Sequence, residues 1–479
     1  MPRTIALFAL VLSSMSAALV LAARPAPAPV PAQVPAQVPV PAPVPSPVTT
    51  HPGPSPVAVT TAGGLRLSTQ LERRYLAESG LADAYLEIDL AASGERSQLR
   101  RVPVNAVLIV DRSGSMAGEK IERARDAARA LIAALDGEDR LAIVDFASDA
   151  HVLFSSAAAT AGAKERALRA VELLQATTGT NMSAALELAA PELRRGHDGV
   201  RVDKVFLASD GQSNEGISNR AALLRAAQRE FGPATVSTFG IGDDYDEGLM
   251  TALAAQAGGR TRFIRAPGDL PPAIRAELLR ASAIVARSVR LEVRGLSGAR
   301  VERVLGYDAD GGWVRLPDFA AGEERRVLVK LSIPPGHGLT DLARVEVTFS
   351  DAAGAGHRGE AAAQATFTSN RTLLGEGPTE AARWGAEAEM AVLAQEAAEA
   401  REQGRAEDSG RNVAALQKVA ARAQAAAPPP VAAALAARAS EYGAAVGDLG
   451  VAGGAASKEL KQRAFDSVRA PVSGWSDAK

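Results

Sequence analysis

Two hydrophobic periods share this chain and divide it. In "LRLSTQL" and "YLEIDL" apolar side chains recur at every second position, Leu65 and Leu67 and then Leu86, Ile88 and Leu90, with Arg66, Glu87 and Asp89 between them. A period of two predicts half-buried strands, one face on a core and the other in water. The same period returns far downstream in "SVRLEVRG" (Val289, Leu291, Val293), "VLVKLSI" (Val327, Val329, Leu331, Ile333) and "VEVTFS" (Val345, Val347, Phe349). One antiparallel sandwich, interrupted in sequence, accounts for both sets.

Between the two sets the pattern changes. "VNAVLIV", "RLAIVDF", "KVFLAS" and "TVSTFGI" are continuous apolar runs, and they alternate with helical patterns. "EKIERARDAARALIAAL" places Ile121, Ala124, Ala128, Leu131, Ile132 and Leu135 on one stripe. Strands covered on both faces and separated by helices predict an α/β domain with a doubly wound, mostly parallel sheet. Asp145 interrupts the run "RLAIVDF"; an unpaired buried carboxylate is costly, so it is expected near the strand end, meeting solvent or a helix N-terminus. After Thr368 alanine mixes with Glu, Arg and Gln, and a helical pattern runs from Thr379 to about Gln403 and from Arg411 to Ala426. Pro428, Pro429 and Pro430 break it before a third helix to about Ala445, and "GDLGVAGGAAS" leads to a short last one. No apolar heptad is sustained, which favours a packed helical hairpin over a coiled coil.

The expected organisation is therefore an apolar leader (1–23), a linker (24–57), the first sandwich strands (58–101), the α/β domain (102–288), the rest of the sandwich (289–368) and a C-terminal α-helical region (369–479). The leader follows Arg3 with "IALFALVLSSMSAALVLAA", an uncharged run that reads as an export signal, either cleaved after a small-x-small site or kept as an N-terminal membrane anchor. The linker "RPAPAPVPAQVPAQVPVPAPVPSPVTTHPGPSPV" is too rich in proline for helix or sheet and favours an extended tether. The expectation is an exported protein: periplasmic, cell-surface or secreted.

Composition removes several functions. With 479 residues and a formal net charge of -2, the chain lacks the bulk positive charge of a general nucleic-acid binder. It has no cysteine, which excludes disulfides and thiolate metal sites. Its five histidines are scattered without ligand spacing, which argues against zinc.

The candidate chemistry lies in "VLIVDRSGSMAGEKI", where an apolar run enters a polar turn and then a helix. A phosphate-binding P-loop fails there: Gly114 and Gly118 are one residue too close, Glu119 precedes Lys120, and Ile121 stands where a hydroxyl is needed. A nucleophile elbow fails as well, since Asp111 and Ser115 replace its two glycines. The turn resembles the haloacid-dehalogenase type of phosphotransferase, with Asp111 as nucleophile and Asp243, Asp244 and Asp246 of "GIGDDYDEG" as Mg²⁺ ligands. Ser113, however, occupies the position of that family's acid and cannot transfer a proton as a carboxylic acid does. The alternative for the acidic loop is helix capping before "LMTALAAQ".

Taken together, Asp111, Ser113 and Ser115 form D-x-S-x-S, one carboxylate and two hydroxyls, hard ligands suited to Mg²⁺. "TGTN" adds Thr180 in a loop, and "VFLASDG" adds Asp210 at the end of another apolar run. This constellation, over about residues 102–288, resembles the von Willebrand factor type A (VWA) domain, whose fold is Rossmann-like. The resemblance implies a metal-ion-dependent adhesion site in which Ser113, Ser115 and Thr180 supply hydroxyls to Mg²⁺ or Mn²⁺, and Asp111 and Asp210 bind directly or through water. It implies a non-enzymatic binding protein whose partner protein presents an Asp or Glu to the metal. The flanking strands are similar in domain order to exported bacterial VWA proteins and to inter-alpha-trypsin inhibitor heavy chains. A metal-free structural scaffold of the cell envelope is the alternative.

Overall fold

The computed structural model describes residues 58–93, 101–210, 213–242, 245–264, 266–307, 313–376 and 380–448, with Leu460 and Val468. The expected leader and linker, Asp243, Asp244, Thr379 and most of the short last helix lie outside the described residues.

The chain opens with β1 (Ala58–Ala62), β2 (Leu65–Leu71), β3 (Tyr75–Ala77) and β4 (Ala82–Ala92). Next come β5 (Val104–Asp111), α1 (Glu119–Ala134), β6 (Arg140–Phe146), β7 (Ala150–Ala158), α2 (Ala161–Glu172), α3 (Met182–Gly196) and β8 (Val202–Ser209). The α/β segment ends with α4 (Arg220–Phe231), β9 (Thr235–Ile241), α5 (Glu247–Gln256), β10 (Thr261–Ile264) and α6 (Leu270–Ala281). Strands resume as β11 (Ile284–Gly295), β12 (Arg300–Val304), β13 (Trp313–Arg315), β14 (Phe319–Ala320), β15 (Glu324–Ile333), β16 (Gly338–Asp351) and β17 (Gly356–Thr368). Helices α7 (Arg371–Leu374), α8 (Glu380–Glu402), α9 (Ala406–Ala426) and α10 (Pro429–Asp448) close it.

The two period-two sets form one sandwich. One sheet runs β1-β2-β4-β15-β12; the other runs β13-β11-β16-β17-β3, with β14 beside β11. Leu86, Ile88 and Leu90 of β4 share a core with Val289 and Leu291 of β11 and Val345 and Val347 of β16. Each such side chain contributes about 1.5–3 kcal/mol when fully buried. The strand pair β4–β15 joins residues far apart in sequence, Ala82 opposite Ile333 through Ala91 opposite Glu324. The α/β segment is thus an insertion whose ends meet: the Val102 N–H bonds the Ser282 carbonyl at 2.9 Å.

The inserted sheet has the order β10-β9-β8-β5-β6-β7, parallel except for β7 at one edge. Every residue of β5 is buried, as a central strand covered by helices on both faces requires. Leaving β5, the chain turns to β6 on one side and later returns as β8 on the other. The carboxyl end of β5 is therefore the topological switch point, where open α/β sheets form their crevice.

The C-terminal region is a three-helix layer rather than a hairpin. Alanines of α8 pack on Leu416 of α9, Leu435 and Tyr442 of α10, and on Tyr85 and Leu328 of the sandwich. Gly385 allows this approach, since a Cβ there would meet the Tyr85 ring at 2.1 Å. Helix α9 starts at Ala406, five residues before the expected Arg411: Glu407 and Asp408 suit the positive helix end, and Ser409 is buried. Pro429 and Pro430 open α10, where proline's missing N–H costs nothing.

Candidate metal centre

Strand β5 delivers Asp111 to the switch point, and the chain then makes one 3-10 turn, Gly114–Met116, before α1. Buried Met116 anchors that turn from below. Gly118 caps α1 at φ 78° and ψ -131°, a conformation that any side chain would strain. The next turn is thereby aimed so that Lys120 points back at the strand ends.

Four of the five expected ligands form one hydrogen-bonded chain. Asp111 is fully buried; one carboxylate oxygen accepts the Ser113 N–H at 2.7 Å and the other accepts the Ser209 hydroxyl at 2.5 Å. The Ser113 and Ser115 hydroxyls lie 3.1 Å apart, and Ser115 donates to Asp210 at 2.7 Å. Asp210 is 1% exposed at the end of β8. Thr180 stands on the neighbouring loop, buried, and its hydroxyl makes no hydrogen bond to those four side chains among the described residues. Backbone bonds hold that loop to the site: Thr177 N–H to the Arg112 carbonyl at 2.8 Å, and Thr180 N–H to the Asn214 side chain at 2.9 Å.

The electrostatics are those of a buried acidic site. Burial pushes the Asp111 carboxyl above its ordinary pKa, opposed by the bonds from Ser113 and Ser209, and the Asp210 carboxylate pushes it up further. The ammonium of Lys120 ion-pairs with Asp210. Gly242 leaves space for this lysine, whose Cε would be 3.3 Å from a Cβ at that position. Two buried carboxylates beside three hydroxyls fit Mg²⁺ or Mn²⁺ by donor chemistry, and the lysine shows that positive charge is accommodated there. Among the described residues no three His, Asp or Glu side chains cluster as a metal site. The candidate centre is therefore hydroxyl-rich rather than histidine- or carboxylate-built.

Sequence reading missed Ser209 and Lys120. Ser209 directly precedes Asp210, so the polar end of "VFLAS" was its signal; Lys120 entered only as a misplaced P-loop lysine. Asp145 lies near the strand end as expected, but its surroundings differ. It is buried 3% exposed at the end of β6 and meets neither solvent nor a helix end, because the Arg112 guanidinium reaches it at 2.9 Å and His151 at 3.2 Å. Of the acidic loop, Asp246 is the N-cap of α5 and accepts the Leu249 N–H at 2.9 Å.

Residues 105–269 match the von Willebrand factor type A domain. An uncharacterized protein of Synechocystis is 33% identical over 184 residues, which is 38% of this chain and 43% of that protein. Inter-alpha-trypsin inhibitor heavy chain H4 of Sus scrofa is 26% identical over 35% of this chain and 19% of its own length. The chain thus spans less than half the length of these relatives. In three dimensions a von Willebrand factor type A protein from Catenulispora acidiphila superposes with a TM-score of 0.62 at 20% identity, over 88% of this chain and 99% of that one. Such identity speaks for the fold alone, and here it extends beyond the inserted segment to the sandwich. With its doubly wound sheet and this match, the segment 105–269 is a von Willebrand factor type A domain, carried in this chain as an insertion in the sandwich.

Proposed function

We propose that this is an exported, non-enzymatic binding protein whose VWA domain holds Mg²⁺ or Mn²⁺ through Asp111, Ser113, Ser115, Thr180 and Asp210 and captures an Asp or Glu of a partner protein. The observation that carries the proposal is the chain of contacts Asp111–Ser113–Ser115–Asp210 at the switch point of the sheet. Bound there, a divalent ion supplies residual positive charge and an exchangeable position for the partner's carboxylate. The protein's own side chains supply the rest. Asp111 and Asp210 bring negative charge into a buried place, the two serines orient through each other, and the Thr177 and Asn214 bonds hold the Thr180 loop against the turn.

Both oxygens of Asp111 are engaged as acceptors and Asp246 is spent on capping, which favours this reading over a phosphotransferase. Export rests on the leader and tether of the sequence; among the described residues no helix is long and apolar enough to cross a membrane.

Titration calorimetry of the full chain with Mg²⁺ and Mn²⁺ tests the site. Binding is expected in the wild type and absent in Asp111→Ala, with unchanged circular dichroism. Undiminished binding in that variant refutes the ligand assignment. One observation favours a second reading, a metal-free scaffold: Lys120 already balances Asp210. Failure of the wild type to bind either ion selects that reading.

A further inference from the structure

A recess of about 580 Å³ lies between the inserted domain and the rest of the chain, bounded by α4, α5, the β11–β13 ladder and α8. It shares no lining residue with the metal centre. Three guanidinium groups line it, from Arg220 at the first turn of α4, Arg290 on β11 and Arg315 on β13, and among the described residues no carboxylate does. Arg290 and Arg315 stand directly opposite each other across antiparallel strands, and like charges so placed destabilise a sheet. Glu292, two residues along the same strand face, is taken by Arg294. Arg315 gives one N–H to the Pro233 carbonyl at 3.0 Å, and the buried Asp318 carboxylate, which does not line the recess, attracts it, while Arg290 repels it. Trp313 and Tyr307 supply aromatic walls, and Gln395 of α8 an amide.

We propose that this recess binds an anionic saccharide, a sugar ring bearing a carboxylate, phosphate or sulfate group. Each component has a counterpart in that chemistry. The planar forks of Arg290 and Arg315 match an oxyanion bidentately and would relieve their mutual repulsion. An aromatic face, negative at its centre, receives the C–H face of a sugar ring. Amide and guanidinium N–H groups beyond the anion reach ring hydroxyls, and the volume falls within the roughly 300–1,000 Å³ usual for small-ligand sites. An uncharged sugar leaves the arginines unpaired, and a bare anion leaves the aromatic walls unused.

The test is titration of the full chain, in buffer stripped of divalent cations, with glucuronic acid, glucose 6-phosphate, glucose and inorganic phosphate, read by calorimetry and tryptophan fluorescence. One or both acidic sugars are expected to bind at least about tenfold tighter than glucose or phosphate. The double variant R290Q/R315Q should lose that binding without a lower melting temperature, and Trp313→Phe should weaken it. Three results overturn the proposal. They are silence toward both acidic sugars, inorganic phosphate binding as tightly as glucose 6-phosphate, and an R290Q/R315Q variant that binds like the wild type. Asp308 and Asp310 fall between Tyr307 and Trp313 in sequence, outside the described residues. If D308N/D310N binds where the wild type does not, the guanidinium groups are neutralised from within the chain, and the proposal fails in that way too.

Discussion

Lys120 contributes charge to the candidate metal centre without being one of its expected ligands. Its ammonium and any divalent ion draw on the same carboxylate, so removing it should favour the ion. Lys120→Met is expected to bind Mn²⁺ more tightly than the wild type in calorimetry; equal or weaker affinity would show that the lysine does not compete. A second residue makes stability depend on pH. Glu87 and Asp89 both reach the Arg326 guanidinium, and burial pushes the Glu87 pKa up to about 7 with Asp89 adding to the rise. A carboxyl raised in the folded state holds a proton that the unfolded chain releases, so its contribution is complete at acidic pH and falls away as pH climbs through 7. Glu87→Gln should therefore melt higher than the wild type at pH 8 and gain little at pH 5. At this scale the meeting of Asp111, Ser113, Ser115 and Asp210 was legible, because the motif and the strand ends carry them in the sequence itself. Lys120 and the Arg112–Asp145 pair were not, since the fold alone determines which charges meet.

Among the elements, the short connection between β5 and α1 does most to shape the site. Gly118 holds a backbone conformation reserved for glycine, although a Cβ there would meet no neighbour within 4 Å. The cost of Gly118→Ala is thus purely conformational, on the order of 1–3 kcal/mol. Denaturant melts should show that loss, and Mn²⁺ affinity should fall with it because α1 and Lys120 shift together; a variant with wild-type stability would show that the turn is not constrained. The strand period was legible where large apolar residues carry it: β2 buries Leu65, Leu67, Thr69 and Leu71 in strict alternation, whereas β17, with alanine at many of its positions, was not read from the sequence. Helix ends were less so. The start of α9 was misplaced because Asp408, Ser409 and Gly410 in its first turns read as a turn, and the first-turn acids Glu407 and Asp408 sit where no apolar stripe begins.

Across the whole molecule, buried ion pairs join the inserted domain to the sandwich. Lys204 of β8 meets Glu277 of α6 at 2.8 Å, and Arg280 of the same helix meets Glu323, beside β15, at 2.7 Å; Arg325 pairs with Glu323 as well. All five side chains are essentially without solvent contact. Burial alone would raise the pKa of Glu277, but Lys204, Arg280 and Arg260 hold it well below the usual carboxylate range. Taking one partner from such a set costs about 3–5 kcal/mol. Glu323→Gln should accordingly lower the melting temperature and split the calorimetric transition into domain-wise steps. A single undisturbed transition would mean that the two parts are coupled by apolar packing instead. The domain order was legible from the change of hydrophobic period, whereas this joint was not: Lys204, Glu277 and Glu323 lie in separate segments and look like surface charges until the chain is folded. The insertion has a mechanical meaning too. A pull on a ligand held at the tip of the domain would leave through both of its ends at once. It would spread into β4, locked along its length to β15, and into β11, locked to β16. Strands loaded along their axes resist by shearing many hydrogen bonds together, so the sandwich is placed to bear tension that a single linker would concentrate on one bond.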